Sequence, residues 1–171
     1  MNIDEKIDNI KKALNIEYKY FNYGFDLLKI KIIDDPNIDD SEFRSEDLSI
    51  VFKESYFNNA SLHELVSQSF HEARHFYQYV QINFRDELLN KNIYVEDIEL
   101  INRWSNEFKN YKRPSGNIDL DYEFLDQDIE LDAMTFAYYL TLKLFNLKLY
   151  IPKYIEERFY NRLEKFEKIY G

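Results

Sequence analysis

The feature that most constrains the fold is a long run, residues 62–82, whose apolar side chains recur at helical spacing. Intervals of three and four residues place these side chains on one face of an α-helix. Ser61 with Glu64 three positions later has the pattern of a capping box, which predicts a helix start near Leu62. The residues of the apolar face are Leu62, Leu65, Val66, Phe70, Ala73, Tyr77 and Val80.

The remaining pattern predicts four more helices and two strands. The helices are expected at residues 3–20, 95–109, 124–146 and from Pro152 to about 169, and the strands at 27–33 and 48–56. Gly24 is the predicted break before the first strand, and residues 34–37 are predicted to form a turn. The acidic stretch that follows, up to Asp47, is predicted to be a loop, and so are residues 110–121. The fold class is therefore predicted as α+β: one mostly helical domain over residues 1–171, with about two or three strands before the 62–82 helix.

The composition agrees with one folded domain. A chain of 171 residues can bury an ordinary core, and three Gly and three Pro are too few for a disordered chain or a turn-rich sandwich. The absence of Cys excludes a disulfide scaffold, a thiol nucleophile and a thiolate metal site.

Charge and hydropathy bear on partners and compartment. The formal net charge of -10, with Lys and Arg interspersed among acids, argues against nucleic-acid binding. The N-terminus is acidic where a signal peptide would be basic, and no stretch is apolar enough to span a membrane. These features predict a cytoplasmic protein that binds neither nucleic acid nor membrane, and they leave its oligomeric state open.

Within the 62–82 helix, His71-Glu72-Ala73-Arg74-His75 forms an H-E-x-x-H motif. Residues i and i+4 lie about 40° apart around a helix and one turn along it, so both imidazoles can reach one ion. Glu72 is offset around the helix, so its carboxylate can reach a water beside the metal without binding the metal. This division of roles predicts a zinc site with Glu72 as catalytic base.

A catalytic zinc site needs a third protein ligand. A metzincin would have a further His six residues after His75, where this chain has Gln81. No Cys is present for a deformylase-like site, and no later His completes a second Glu-x-x-His for a di-iron site. His63 lies eight residues before His71, about 12 Å along the axis, which is too far for a shared ion.

A carboxylate from the predicted 124–146 helix is the remaining source. Acidic residues in a largely apolar helix are costly unless they are paired or bind a metal. Glu130 is the favoured ligand; Asp132 either hydrogen-bonds a ligand histidine or is itself the ligand. Ala133 and Ala137 would allow close helix packing.

Other residues are weaker candidates. Gln78, near the histidine face, could bind substrate or a water, and Tyr122, shortly before Glu130, could donate to an oxyanion. The aromatic segment 104–111 is expected to pack in the core.

The motif His-Glu-x-Arg-His-x-x-Gln, followed by Glu-x-Asp-Ala-x-x-Phe-Ala from Glu130 to Ala137, resembles the gluzincin-like metallopeptidases of small bacterial and mobile-element proteins, especially the ImmA/IrrE type. The resemblance covers about residues 48–140. It implies a zincin-like fold with a strand before the active helix. It also implies His71, His75 and Glu130 as zinc ligands, Glu72 as base, and peptide-bond hydrolysis of a protein or peptide substrate.

Two other functional hypotheses remain open. The domain could be a non-proteolytic, zinc-stabilised interaction module, for which Glu72 would be dispensable. It could also be a helical interaction protein that binds no metal. For the peptidase hypothesis, the strand at 48–55 is expected to hold an extended substrate if it lies at a sheet edge.

Overall fold

The computed structural model describes residues 1–21, 28–117 and 121–171, with the backbone alone for residues 16–21. The described part of the chain is mostly helical and contains a three-stranded mixed sheet, which confirms the predicted α+β class. It divides into two compact units, Met1–Phe76 and Tyr77–Gly171. The boundary falls within one helix, α3, which begins in the first unit and ends in the second.

The elements of the first unit are α1 (Ile3–Phe21), β1 (Lys29–Ile33), β2 (Ser41–Arg44), β3 (Ser49–Lys53), α2 (Glu54–Asn59) and the first part of α3 (Leu62–Asn83). The predicted first helix is confirmed, as is the turn, which forms at residues 36–37. Gly24 and Leu27 lie outside the described residues. Lys6 on α1 donates to the carbonyl oxygens of Phe57, Asn58 and Ala60, and so satisfies the C-terminal end of α2.

The sheet has the order β1-β3-β2, so β3 is its central strand. Ile50 of β3 lies opposite Ile30 in the parallel pair with β1, and opposite Phe43 in the antiparallel pair with β2. The loop predicted up to Asp47 is therefore wrong at residues 41–44. The pattern missed β2 because Phe43 is its one large apolar residue, and the strand forms through pairing with β3.

The predicted strand at 48–56 is correct only as far as Lys53, since α2 begins at Glu54. The side chains of Ile50, Val51 and Phe52 are all fully buried. A continuous buried run is typical of a strand covered on both faces. The condition for substrate pairing with this strand, that it lies at a sheet edge, is not met, because both of its edges are paired within the sheet.

The start of α3 has the geometry that the sequence predicts. The Ser61 backbone N–H donates to Glu64 Oε2 at 2.7 Å, and the Glu64 N–H donates to Ser61 Oγ at 3.3 Å. This reciprocal pair satisfies two of the N–H groups that a helix end leaves without partners.

Loss of this cap should be measurable. Ser61→Ala is expected to lower the free energy of unfolding by about 1 kcal/mol, because the Glu64 N–H loses its acceptor. The measurement is urea denaturation followed by circular dichroism. Ser61→Asn is the matched control, since Asn caps as well as Ser; an equal loss in both variants would contradict the capping role.

The elements of the second unit, after the last residues of α3, are α4 (Arg85–Asn90), α5 (Ile98–Lys109), α6 (Tyr122–Leu125), α7 (Asp128–Phe145), a short 3-10 helix (Lys153–Ile155) and α8 (Glu156–Tyr170). The sequence missed α4 and α6, which are only four to six residues long. The predicted helix at 124–146 starts later because Gln127 is extended (ψ 129°). The helix predicted from 95 begins at Ile98, where Asp97 accepts from two backbone N–H groups.

Helix α7 is the most buried element of this unit, and it packs against α5 and α8. Ring pairs join it to α8, with Phe136 5.6 Å from Phe166 and Tyr138 5.1 Å from Phe159. Trp104 on α5 is fully buried, which confirms that the start of the aromatic segment packs in the core. Among the described helices, none has the length and apolar character needed to cross a bilayer.

Candidate metal centre

His71 and His75 converge on one side of α3. Their Nε2 atoms lie 3.1 Å apart, and their rings are nearly perpendicular, with centroids 4.7 Å apart. Two ligands of a tetrahedral zinc ion with bonds of about 2.1 Å would be about 3.4 Å apart. The spacing of one helical turn therefore gives close to the separation that a shared ion requires.

Glu130 is the third member of the group. One ligand atom from each of His71, His75 and Glu130 lies within 4.8 Å of the others. Glu130 is fully buried in the first turn of α7, and His75 is 8% exposed. Two imidazoles and one carboxylate are the ligand set of a common class of catalytic zinc site.

Glu72 is held by two side chains of the first unit. Its Oε1 accepts from Ser41 Oγ at 2.6 Å and from Gln68 Nε2 at 3.2 Å. The carboxylate is 3% exposed. Among the described residues both of these donors reach the same oxygen, Oε1, and they fix the orientation of the carboxylate.

Asp132 lies outside the group of three. Its Oδ1 accepts from Arg162 Nε at 2.6 Å and its Oδ2 from Gln78 Nε2 at 2.8 Å. Both oxygens thus have partners of their own, which favours Glu130 over Asp132 as the ligand. Gln78 also donates to the carbonyl of Ile129, the residue next to Glu130, at 2.9 Å, so it links α3 to the first turn of α7.

Arg162 pairs with Asp132 and also with a second buried carboxylate, that of Glu96. Its Nη2 lies 3.2 Å from Glu96 Oε1. The hydroxyls of Tyr77 and Tyr94 donate to Glu96, and its N–H donates to Gln81 Oε1. Burial, with the nearby Glu96 carboxylate, raises the pKa of Tyr94 to about 12, so this hydroxyl remains a donor at neutral pH.

The first turn of α7 is capped by a side chain from another helix. Glu107 on α5 accepts from the N–H groups of Asp128 and Ile129 at 3.0 and 2.9 Å. Desolvation raises the pKa of Glu107, although these two hydrogen bonds favour its charged form. The cap fixes the helix end from which Glu130 projects.

The tyrosine that contacts Glu130 is Tyr111, whose hydroxyl donates to Oε1 at 2.8 Å. The sequence suggested a different tyrosine, Tyr122, as a donor to an oxyanion, because of its position shortly before Glu130. Tyr122 lies on α6, is 54% exposed, and has its ring 4.2 Å from that of Tyr154. The prediction that the segment containing Tyr111 packs in the core is wrong for this residue, which is 41% exposed, and nothing local to the sequence distinguishes it from the other tyrosines.

Comparison with known protein families, curated proteins and solved structures finds no significant match to this chain. A functional interpretation therefore has to come from the residues of the site.

Proposed function

We propose that this protein is a zinc-dependent metallopeptidase, with His71, His75 and Glu130 as the metal ligands and Glu72 as general base. The observation that carries the proposal is the grouping of three suitable ligand atoms within 4.8 Å, with Glu72 adjacent in sequence to His71. The donor set suits zinc, which binds imidazole nitrogen and carboxylate oxygen in tetrahedral geometry.

Zinc in such a site would act as a Lewis acid and lower the pKa of water to about 7. Glu72 would take a proton from the attacking water as its oxygen bonds to the peptide carbonyl carbon. The same carboxylic acid would then give that proton to the leaving nitrogen as the C–N bond breaks. Ser41 and Gln68 support this role, because their hydrogen bonds to Oε1 orient the Glu72 carboxylate.

The substrate proposal follows from the sheet order. With both edges of β3 paired, the strand edge near the base belongs to β2, whose first residue is Ser41. An extended peptide that pairs with β2 would run past the residue that donates to Glu72. Backbone pairing of this kind holds peptides with little demand on their sequence. The cytoplasm remains the proposed compartment on the sequence grounds given above.

The direct test is metal content, measured by elemental mass spectrometry on untagged protein. The expected result is about one zinc per chain, lost in the His71→Ala/His75→Ala variant. His63→Ala is the matched control, because His63 is an exposed histidine near the start of the same helix, and it should retain the metal. No zinc in the wild-type protein, even after zinc is added back, would overturn the proposal.

A zinc-stabilised interaction module is the second candidate. The near-complete burial of His75 and Glu130 favours it, because buried polar groups are costly without a partner and a bound metal would therefore stabilise the fold. The partial exposure of His71 favours the peptidase. The two functions differ in whether Glu72 is required.

A further inference from the structure

Tyr111 reaches a buried carboxylate from a partly exposed position. It lies two residues after the end of α5, is 41% exposed, and donates its hydroxyl hydrogen to Oε1 of the fully buried Glu130. Tyrosine is suited to this because a rigid apolar ring carries the donor to a fixed distance from the backbone.

The backbone around Tyr111 is fixed by Gln127, the residue before α7. The Lys112 N–H donates to Gln127 Oε1 at 2.9 Å, and Gln127 Nε2 donates to the Lys112 carbonyl at 3.0 Å. The same amide group also donates to the Phe124 carbonyl at 3.0 Å. The Gln127 side-chain amide therefore makes the same pair of hydrogen bonds with the Lys112 backbone that a neighbouring β-strand would make.

The ring of Tyr111 is held as well. It packs edge-on against the ring of Phe124 on α6, with centroids 6.2 Å apart. Glu107, four residues earlier, caps the first turn of α7, so the donor Tyr111 and the acceptor Glu130 are both tied to the same helix end. The hydrogen bond is thus built into the second unit by contacts that involve neither histidine.

We propose that Tyr111 is a positioning residue for Glu130 as a metal ligand, an inference that rests on the proposed function. A hydrogen bond to Oε1 restrains the orientation of the carboxylate and favours binding of the ion through a single oxygen. One-oxygen binding keeps a coordination position open for substrate or water, which a catalytic site requires. Hydrogen bonds to metal-binding carboxylates commonly contribute ten- to a hundredfold to affinity.

The experiment compares zinc affinity in the wild-type protein, in Tyr111→Phe and in the matched control Tyr160→Phe. Tyr160 is an exposed residue of α8, so this control removes a hydroxyl far along the chain from the site residues. Affinity is measured by competition with a chromophoric chelator, and the visible spectrum of bound Co²⁺ reports the coordination number. Circular dichroism and thermal unfolding of the metal-free proteins establish that the variants fold.

The expected result is a loss of about ten- to a hundredfold in zinc affinity for Tyr111→Phe alone. A weaker Co²⁺ band should accompany it, because a carboxylate freed from Tyr111 can bind through both oxygens. Unchanged affinity together with an unchanged Co²⁺ spectrum would overturn the role of Tyr111 and leave the metal site intact. Failure of the wild-type protein to bind zinc would overturn the proposed function, and the role of Tyr111 with it.

Discussion

Glu72→Gln is expected to lower peptide hydrolysis by roughly a hundredfold to ten-thousandfold while zinc stays bound. The amide has nearly the same shape as the carboxylate, and its oxygen can still accept from Ser41 and Gln68. It cannot take a proton from water at neutral pH, so the variant loses the base without losing the fold. Hydrolysis is measured with fluorescently labelled casein, and zinc by elemental mass spectrometry of the same samples.

Glu167→Gln is the control for the change in charge, because Glu167 is an exposed residue of α8. It should leave hydrolysis and zinc content at wild-type values. A Glu72→Gln protein that keeps both its zinc and its full peptidase activity would refute the proposed mechanism. Zinc binding with no hydrolysis in the wild-type protein would favour the interaction module.

The second large effect is on stability. Arg162→Met is expected to lower the free energy of unfolding by about 3–5 kcal/mol, because it removes the cation that neutralises two buried carboxylates. Arg162 is 11% exposed, and its partners Asp132 and Glu96 are 2% and 5% exposed. Methionine keeps much of the volume, so the loss reports the charge rather than a cavity. Urea denaturation provides the measurement.

Arg158→Met, one turn earlier on α8, provides the comparison. Arg158 pairs with Asp126 and Asp128, but it is 39% exposed, and exposed ion pairs contribute about 0–1 kcal/mol. The two variants make the same chemical change in the same helix. Equal losses would show that burial of the Arg162 cluster has no special energetic consequence.

The histidine part of the site could be predicted from sequence because it depends on one helix. The interval of four residues between His71 and His75 determines their convergence once the segment is helical, and the capping box at Ser61 already predicts that helix. Glu130 could be named from the sequence as the favoured third residue, with Asp132 as the alternative, for a different reason. A carboxylate in a largely apolar helix needs a partner, and the chain has no cysteine and no third histidine except His63, which lies too far along its helix to share the ion.

The contacts around these residues could not be predicted in the same way, because each joins segments far apart in the sequence. Ser41 contacts Glu72 across 31 positions, and Tyr111 contacts Glu130 across 19. A chain with 15 tyrosines offers no local signal for one of them. The short strand β2 was missed for a related reason, since it exists through pairing with β3.

The position of Arg162 has a consequence for how the chain folds during synthesis. Asp132 precedes Arg162 by 30 residues and Glu96 precedes it by 66, so both carboxylates are made well before the cation that neutralises them. At about 5–20 residues per second, the ribosome needs a few seconds to cover the shorter interval. During that time α7 cannot bury Asp132 without a large electrostatic penalty. Helix α8 therefore supplies the charge that lowers this penalty when Asp132 is buried.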